Sequence, residues 1–406
     1  MSTSPPARSR RRSLVLAGSL IVFLGGLAFF VGTRFARTAG EPAPSPSGVA
    51  LASPTAPLSP TPSPSATPEP TPTPTPAPPL EQVIGQKLVI RMEGLTPSKA
   101  LLERVRRGEV GGIVLFGFNV RDQEQVFTTT TRLQEAAAEG GQPPLLIMAD
   151  QEGGGVRRIP WSQPVASATR MGSMEPDEVR SIGASAGKSL AASGINVDLA
   201  PVADVPDDRQ SFMRDSFRTF SSDPDVVASL VTAFSDGLAS QDVLAVVKHF
   251  PGIGRVAKNT DRFVETVRES RDELRADLTP FRAAIDGGVP IVMLSNATYR
   301  ALDPDNAAGW SKAIATDLLR GELGFTGVSI TDSLSGTAHA REVSARSLAA
   351  KAANAGTDMV MITGTEKSTA AAYEALLEQA RAGAIDRTTL DASYERILAL
   401  KATLAR

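Results

Sequence analysis

Side chains able to do chemistry gather at a recurrent place in this chain, the point where a short apolar run stops. Val246 and Val247 lead directly into Lys248 and His249, and a Pro251-Gly252 turn follows. The run Leu145–Ala149 ends in Asp150-Gln151-Glu152, with Arg157 and Arg158 close behind. Val197 leads to Asp198 and then, through Pro201-Val202-Ala203, to Asp204. Ile291–Leu294 ends at Ser295-Asn296, and Val328–Ile330 at Thr331-Asp332-Ser333. A set rich in carboxylates can give a proton to a leaving group and stabilise or attack a cationic carbon, the two-carboxylate requirement of glycoside hydrolysis. A lysine at such a point could instead form a Schiff base with a carbonyl substrate. Each residue also has a bland reading, a snorkelling lysine or a satisfied core histidine. Scattered solvated charges would not choose the ends of successive apolar runs so regularly.

The elements that must hold these residues follow from the alternation of patterns after Leu80. Short runs rich in β-branched and aliphatic residues predict strands at Leu88–Arg91, Gly112–Phe116, Leu145–Ala149, Val197–Ala200, Leu244–Val247, Ile291–Leu294, Val328–Thr331 and Met359–Ile362. Between them, apolar residues at three- and four-residue spacing predict helices over Glu124–Ala138, Glu178–Ala192, Pro224–Ala239 and Arg271–Asp286. Buried strands separated by helices predict an α/β fold, a single (β/α)8 TIM-type barrel over residues 80–406. In a barrel, ligands bind where the strands end.

Composition narrows the chemistry further. The 406 residues carry a formal charge of -2, so no basic surplus marks a nucleic-acid partner. Cysteine is absent, which removes disulfides, thiolate nucleophiles and thiolate metal sites. Two histidines make a multi-histidine metal site a poor expectation, and no metal or other cofactor is implied.

The N-terminus differs from the rest. Residues 1–12 are basic, and the uncharged stretch 13–33 is long enough to cross a membrane as a helix. The preceding arginines place the N-terminus in the cytoplasm. A cleaved signal peptide, which would make the protein secreted, is the alternative. Residues 34–79 form a Pro/Ser/Thr-rich linker; 15 of the chain's 30 prolines fall between Glu41 and Pro79. Such a polyproline-like spacer could extend on the order of 100 Å. The expectation is a single-pass cell-membrane protein with its barrel outside the cytoplasm. A purely structural envelope spacer would share the linker but would not need polar residues at successive strand exits.

Several stretches carry a family resemblance. They are Leu146–Gly154, Gly194–Val205, Arg218-Thr219-Phe220, Lys248–Gly252 and Gly324–Leu334. In the same order and spacing they resemble family 3 glycoside hydrolases, most of all the single-barrel bacterial β-N-acetylhexosaminidases that trim N-acetylglucosamine from cell-wall fragments. The resemblance implies that Asp332 is the nucleophile. It also implies that Asp150, Arg158, Arg218, Lys248 and His249 hold a terminal N-acetylglucosamine of a glycan or muropeptide.

The resemblance fails at four places near the expected pocket. The family's proton donor lies in an Asp-Ser-His triplet, which falls here on Asn259-Thr260-Asp261. Ile253, Gly155 and Asn296 also stand where the family has a histidine, an arginine and commonly a histidine. His339 is too far along the chain to substitute. Two expectations follow. Asp261 replaces the missing dyad as acid/base, which needs a raised pKa and a separation of about 5–5.5 Å from Asp332 for retention. Otherwise the site binds amino sugars or muropeptides and turns them over slowly, since losing a general acid costs about 10²–10⁴-fold.

Overall fold

The computed structural model describes residues 78–405, apart from Asp208. Eight parallel strands form its centre: β1 (Leu88–Arg91), β2 (Gly112–Leu115), β3 (Leu146–Ala149), β4 (Val197–Asp198), β5 (Leu244–Phe250), β6 (Ile291–Leu294), β7 (Val328–Thr331) and β8 (Val360–Ile362). Their order in the sheet is β7-β6-β5-β4-β3-β2-β1-β8. The seam between β7 and β8 is narrow. It consists of a bridge between Ile330 and Met359, with Met359 N donating to Ser329 O at 2.9 Å and Thr331 N to Met359 O at 3.0 Å. The sheet is therefore a nearly closed barrel of the expected TIM type.

Continuous apolar runs make these strands because both faces are buried. Val89, Val114, Met148, Val197, Val246, Ile291, Met293, Val328, Ile330 and Met361 fill the interior. Leu88, Ile90, Ile113, Ile147, Val247, Val292 and Leu294 pack outward beneath the helices. The alternation follows from the two-residue period of a strand.

Two expected boundaries shift. The fifth strand continues through Lys248 and His249 to Phe250, so both polar residues are strand residues rather than the start of a loop. The helix expected over Arg271–Asp286 is broken into Leu274–Asp277 and Thr279–Asp286. Pro280 lies in the first turn of the second piece, the place where a residue without an N–H is tolerated, and it cannot continue a helix from upstream.

The membrane expectation is corrected. Residues 13–33 lie outside the described residues. Among the described residues no helix is long and apolar enough to cross a membrane. The longest, Gln123–Glu139, has 17 residues and carries Glu124, Arg132, Glu135 and Glu139, whereas a span needs about 20 mostly apolar ones.

Around the end of the barrel away from the strand exits, buried charges tie the closing segments to the sheet. Asp358, fully buried just before β8, accepts hydrogen bonds from Arg396 Nε (3.0 Å) and Nη2 (2.8 Å), from Ser329 N (2.8 Å) and from Arg320. Lys401 Nζ, on the last long helix, donates to Gln86 Oε1 at 2.5 Å and to Gly111 O at 2.7 Å. Removing one partner of a buried charge cluster leaves the others uncompensated. Asp358→Ala should lower the unfolding free energy by about 3–5 kcal/mol, measured by urea denaturation, because two guanidinium groups lose their carboxylate.

Candidate active site

The strand exits open into a cavity of about 390 Å³. Its floor is the last layer of the barrel interior, Val114, Leu199, Met293 and Met361. All seven residues expected at the site line it: Asp150, Arg158, Arg218, Lys248, His249, Asp261 and Asp332. His339 does not; it is exposed near the end of the helix Leu334–Ala340.

Lys248 is the buried centre of the charge arrangement. Its Nζ donates to Asp150 Oδ1 at 2.7 Å and lies 2.6 Å from Glu152 Oε1. Glu152 also accepts both arms of Arg218, Nε and Nη2, at 2.7 Å each. Arg158 Nη2 lies 3.6 Å from Asp150 Oδ2. Burial alone would push the Glu152 carboxyl up, but Arg218 and Lys248 outweigh it and hold it well below the usual carboxylate range. Burial likewise works against the Lys248 ammonium, yet Asp150 and Glu152 raise its pKa above the ordinary value. A Schiff-base lysine must be available as the free amine, so this environment opposes that chemistry.

His249 follows on the same strand, with its Nδ1 2.7 Å from Asp204 Oδ2. The other Asp204 oxygen accepts the backbone N–H of His249 (3.3 Å) and of Ile253 (2.8 Å). The carboxylate thus fixes the ring and the turn after it together, and leaves Nε2 for a ligand. Glu152 and Asp204 are central to the site but do not line the cavity. Their motifs were visible at strand exits; their pairing with residues 66 and 45 positions away was not. Asp198, fully buried at the end of β4, accepts from Gln151 N at 3.0 Å, and burial pushes its carboxyl up to about 8.

Asp332 stands just past β7. Its N–H donates to Leu294 O at 2.9 Å, and its Oδ1 accepts Ser333 N at 2.7 Å. Ser333 is held in turn by Thr363 Oγ1 (2.6 Å between the hydroxyls) and by Asn296 Nδ2, which donates to Ser333 O at 3.0 Å. The backbone carrying Asp332 is therefore braced by both neighbouring strands.

Asp261 reaches the cavity on the loop after β5. That loop starts under close constraint, since a Cβ on Gly254 would lie 2.0 Å from Val205 O. Next comes Arg255, which grips Asp277 through Nε (2.7 Å) and Nη2 (3.0 Å) and reaches Asp207 at 3.3 Å. The Asp261 backbone presses against Gly336, where any Cβ would be 2.7 Å from Asp261 O. Burial first, and then the Asp332 charge, raise the Asp261 carboxyl to about 7, against the pull of His249 and Arg218. Its Oδ1, like Nε of Arg158, is buried without a protein partner, so a ligand can satisfy both.

A second cavity of about 250 Å³ lies at the opposite end of β5, where Asp236 and Asp242 join apolar residues such as Val243, Leu244, Val289 and Leu404 in its lining. It lacks converging charges of both signs. Among the described residues no group of three histidine, aspartate or glutamate side chains is placed to hold a metal.

With this geometry in view, comparison with known proteins is decisive for the family. The glycosyl hydrolase family 3 N terminal domain matches residues 79–400. The chain belongs to glycosyl hydrolase family 3. A β-hexosaminidase of Nitrosomonas eutropha is 34% identical over 289 residues, 68% of this chain and 80% of the relative. An Arthroderma benhamiae protein described as an uncharacterized secreted glycosyl hydrolase is 34% identical over 328 residues, 79% of this chain and 93% of its own. That description also stands against a single-pass membrane placement. Among solved structures, the β-N-acetylhexosaminidase of Beutenbergia cavernae superposes with a TM-score of 0.73 at 34% identity, covering 80% of this chain and 98% of that one. The family 3 β-N-acetylglucosaminidase of a Paenibacillus species gives 0.76 at 32% identity, covering 81% of this chain and 63% of that one.

Within this family 3 barrel, Arg255 is the residue that pins the loop bearing Asp261. Arg255→Ala should raise the rate of tryptic cleavage at Lys258 or Arg262 by about tenfold, because a charge-assisted contact of this kind contributes about 1.5–3 kcal/mol to local stability. Arg255→Lys should recover part of the protection.

Proposed function

We propose that this protein is a retaining β-N-acetylhexosaminidase that removes terminal β-linked N-acetylglucosamine, with Asp332 as nucleophile and Asp261 as acid/base. The observation that carries this reading is the pairing of two carboxylates on one cavity, one of which has its pKa raised to about 7 partly by the other. Two such groups with unequal environments are the requirement for acid and nucleophile at neutral pH. Asp332 attacks the anomeric carbon as the bond to the leaving oxygen breaks, and that oxygen takes the Asp261 proton. Water then displaces Asp332, giving its own proton to Asp261, so configuration is retained. Asp150, Arg158, Arg218, Lys248 and His249 bind the hydroxyls of the terminal N-acetylglucosamine whose anomeric carbon is attacked. Peptidoglycan fragments and chitin-type oligosaccharides both present the required residue.

The test compares leaving groups. Asp332→Asn should abolish turnover of both a dinitrophenyl and a methyl β-N-acetylglucosaminide. Asp261→Asn should slow the methyl glycoside by about 10²–10⁴-fold and the dinitrophenyl one far less, since only the poor leaving group needs the proton. Equal slowing of both, or of neither, removes Asp261 from the role. If the parent cleaves neither substrate yet binds N-acetylglucosamine, the barrel is a binding protein.

Protonation gives a separate check. A general acid must keep its proton, so kcat/KM for the methyl glycoside should fall as pH rises through about 7. The Asn variant should lack that limb. The same shift has a sign for stability: unfolded Asp261 ionises near 3.8 and folded Asp261 near 7, so ionisation opposes folding above that window. Asp261→Asn should match the parent's stability below pH 4 and exceed it above pH 7, measured by thermal unfolding.

A further inference from the structure

Large apolar side chains on the described surface are concentrated where the strands exit. Phe118, Val165, Phe217, Phe263, Val264 and Val343 are exposed and lie on loops that follow barrel strands; Phe127 alone lies elsewhere, on the helix Gln123–Glu139. The aromatic members are close in sequence to the cavity wall. Phe217 sits between Ser216 and Arg218, both lining residues, and Phe263 is two residues past Asp261.

Two of these rings are held outward without structural return. Phe217 is 63% exposed and adopts φ 58, the left-handed region that a bulky side chain avoids. Its backbone is fixed there: Phe217 N donates to Arg214 O at 2.9 Å, and the next residue is locked to Glu152. A strained, exposed aromatic beside a binding cavity points to a ligand contact rather than to packing. Phe263 is 47% exposed, and Lys258 Nζ lies 4.9 Å from its ring centroid on one face. The cation orients the ring, which remains half exposed. Phe118 differs, because Phe116 stacks on it at 5.7 Å and Arg91 lies 5.4 Å from its centroid.

We propose that Phe217 and Phe263 form a stacking platform for the sugar on the leaving-group side, so that a β-linked N-acetylglucosamine oligosaccharide is preferred over a glycoside with a small leaving group. This rests on the hydrolase reading above and names its substrate class. A β-linked N-acetylglucosamine carries its ring substituents equatorially, and its two faces therefore present C–H groups to an aromatic ring. Continuity with the cavity sets where such a sugar lies: it is the next residue out from the one held by Asp150 and Lys248. The polar site recognises hydroxyls of one sugar, and the apolar rim holds the rest of the chain.

The experiment measures kcat/KM for N-acetylglucosamine oligosaccharides of two to four residues and for the methyl glycoside. The parent is expected to cleave the oligosaccharides, the disaccharide included, more efficiently than the methyl glycoside. Phe217→Ala and Phe263→Ala should each lose about three- to tenfold on the tetrasaccharide, the range of one aromatic contact, and less than twofold on the methyl glycoside. Phe263→Trp should retain the gain, and Phe127→Ala should change nothing. No gain over the methyl glycoside in the parent, or an equal loss on both substrates, overturns the platform. Titration calorimetry on Asp332→Asn separates the two levels of the argument. If it binds N-acetylglucosamine but gains nothing from longer chains, only the platform is wrong; if it binds neither, the amino-sugar reading fails with it.

Discussion

The ammonium of Lys248, buried to 2% exposure at the end of a barrel strand, sets the condition that the rest of the site must meet. An isolated charge there would be strongly disfavoured, so the chain has to bring carboxylates to it. Asp150 and Glu152 come from the exit of β3, two strands away. Glu152, now buried as well, requires Arg218 from the loop after β4. One buried cation thus fixes two loops relative to its own strand through charge rather than through backbone pairing. The same logic repeats one residue later, where Asp204 holds the His249 ring and the turn that follows it.

This explains which parts of the molecule were legible in the sequence. The barrel strands could be located because burial on both faces forces a continuous apolar run, and seven of the eight observed strands both begin and end within two residues of that pattern. Asp150, Lys248 and Asp332 could be placed together because a barrel delivers every strand exit to one rim. The partners of those residues were not legible. Glu152 and Arg218 are 66 positions apart, and nothing in either local sequence marks the pair. Arg255 reads as an ordinary loop cation until Asp277 and Asp207 are seen around it. The apolar stretch 13–33 shows the opposite failure, where length and hydropathy carried a membrane assignment that the family comparison does not support.

Under the proposed mechanism one carboxylate stands in for a histidine–aspartate dyad, and that changes how the acid is made. A dyad holds its proton through a partner on the same loop; Asp261 holds it through burial and through the charge of Asp332 across the cavity. The acid is then coupled to the state of the nucleophile. In that mechanism Asp332 would lose its negative charge on forming the covalent glycosyl bond, and the pKa of Asp261 would fall. That is the direction the second step needs, since Asp261 has by then given up its proton and must act as a base. The geometry of Gly336 and Arg255 matters to this coupling, because it fixes the loop that determines the distance between the two carboxylates.

The proposed reaction would account for why the cationic side of the cavity is so thoroughly neutralised. Positive charge develops at the anomeric carbon in the transition state, and an uncompensated ammonium or guanidinium nearby would oppose it. Lys248 contacts two carboxylates, Arg218 is bound bidentately, and Arg158 faces Asp150. Three cations and two carboxylates leave at most one unit of positive charge, spread over the wall that grips hydroxyl groups. Asp332, on a separate strand, can then dominate the field at the reacting carbon. Hydroxyl recognition by charged donors and stabilisation of a cationic transition state make conflicting demands on one small cavity, and the cage around Lys248 is the arrangement that satisfies both.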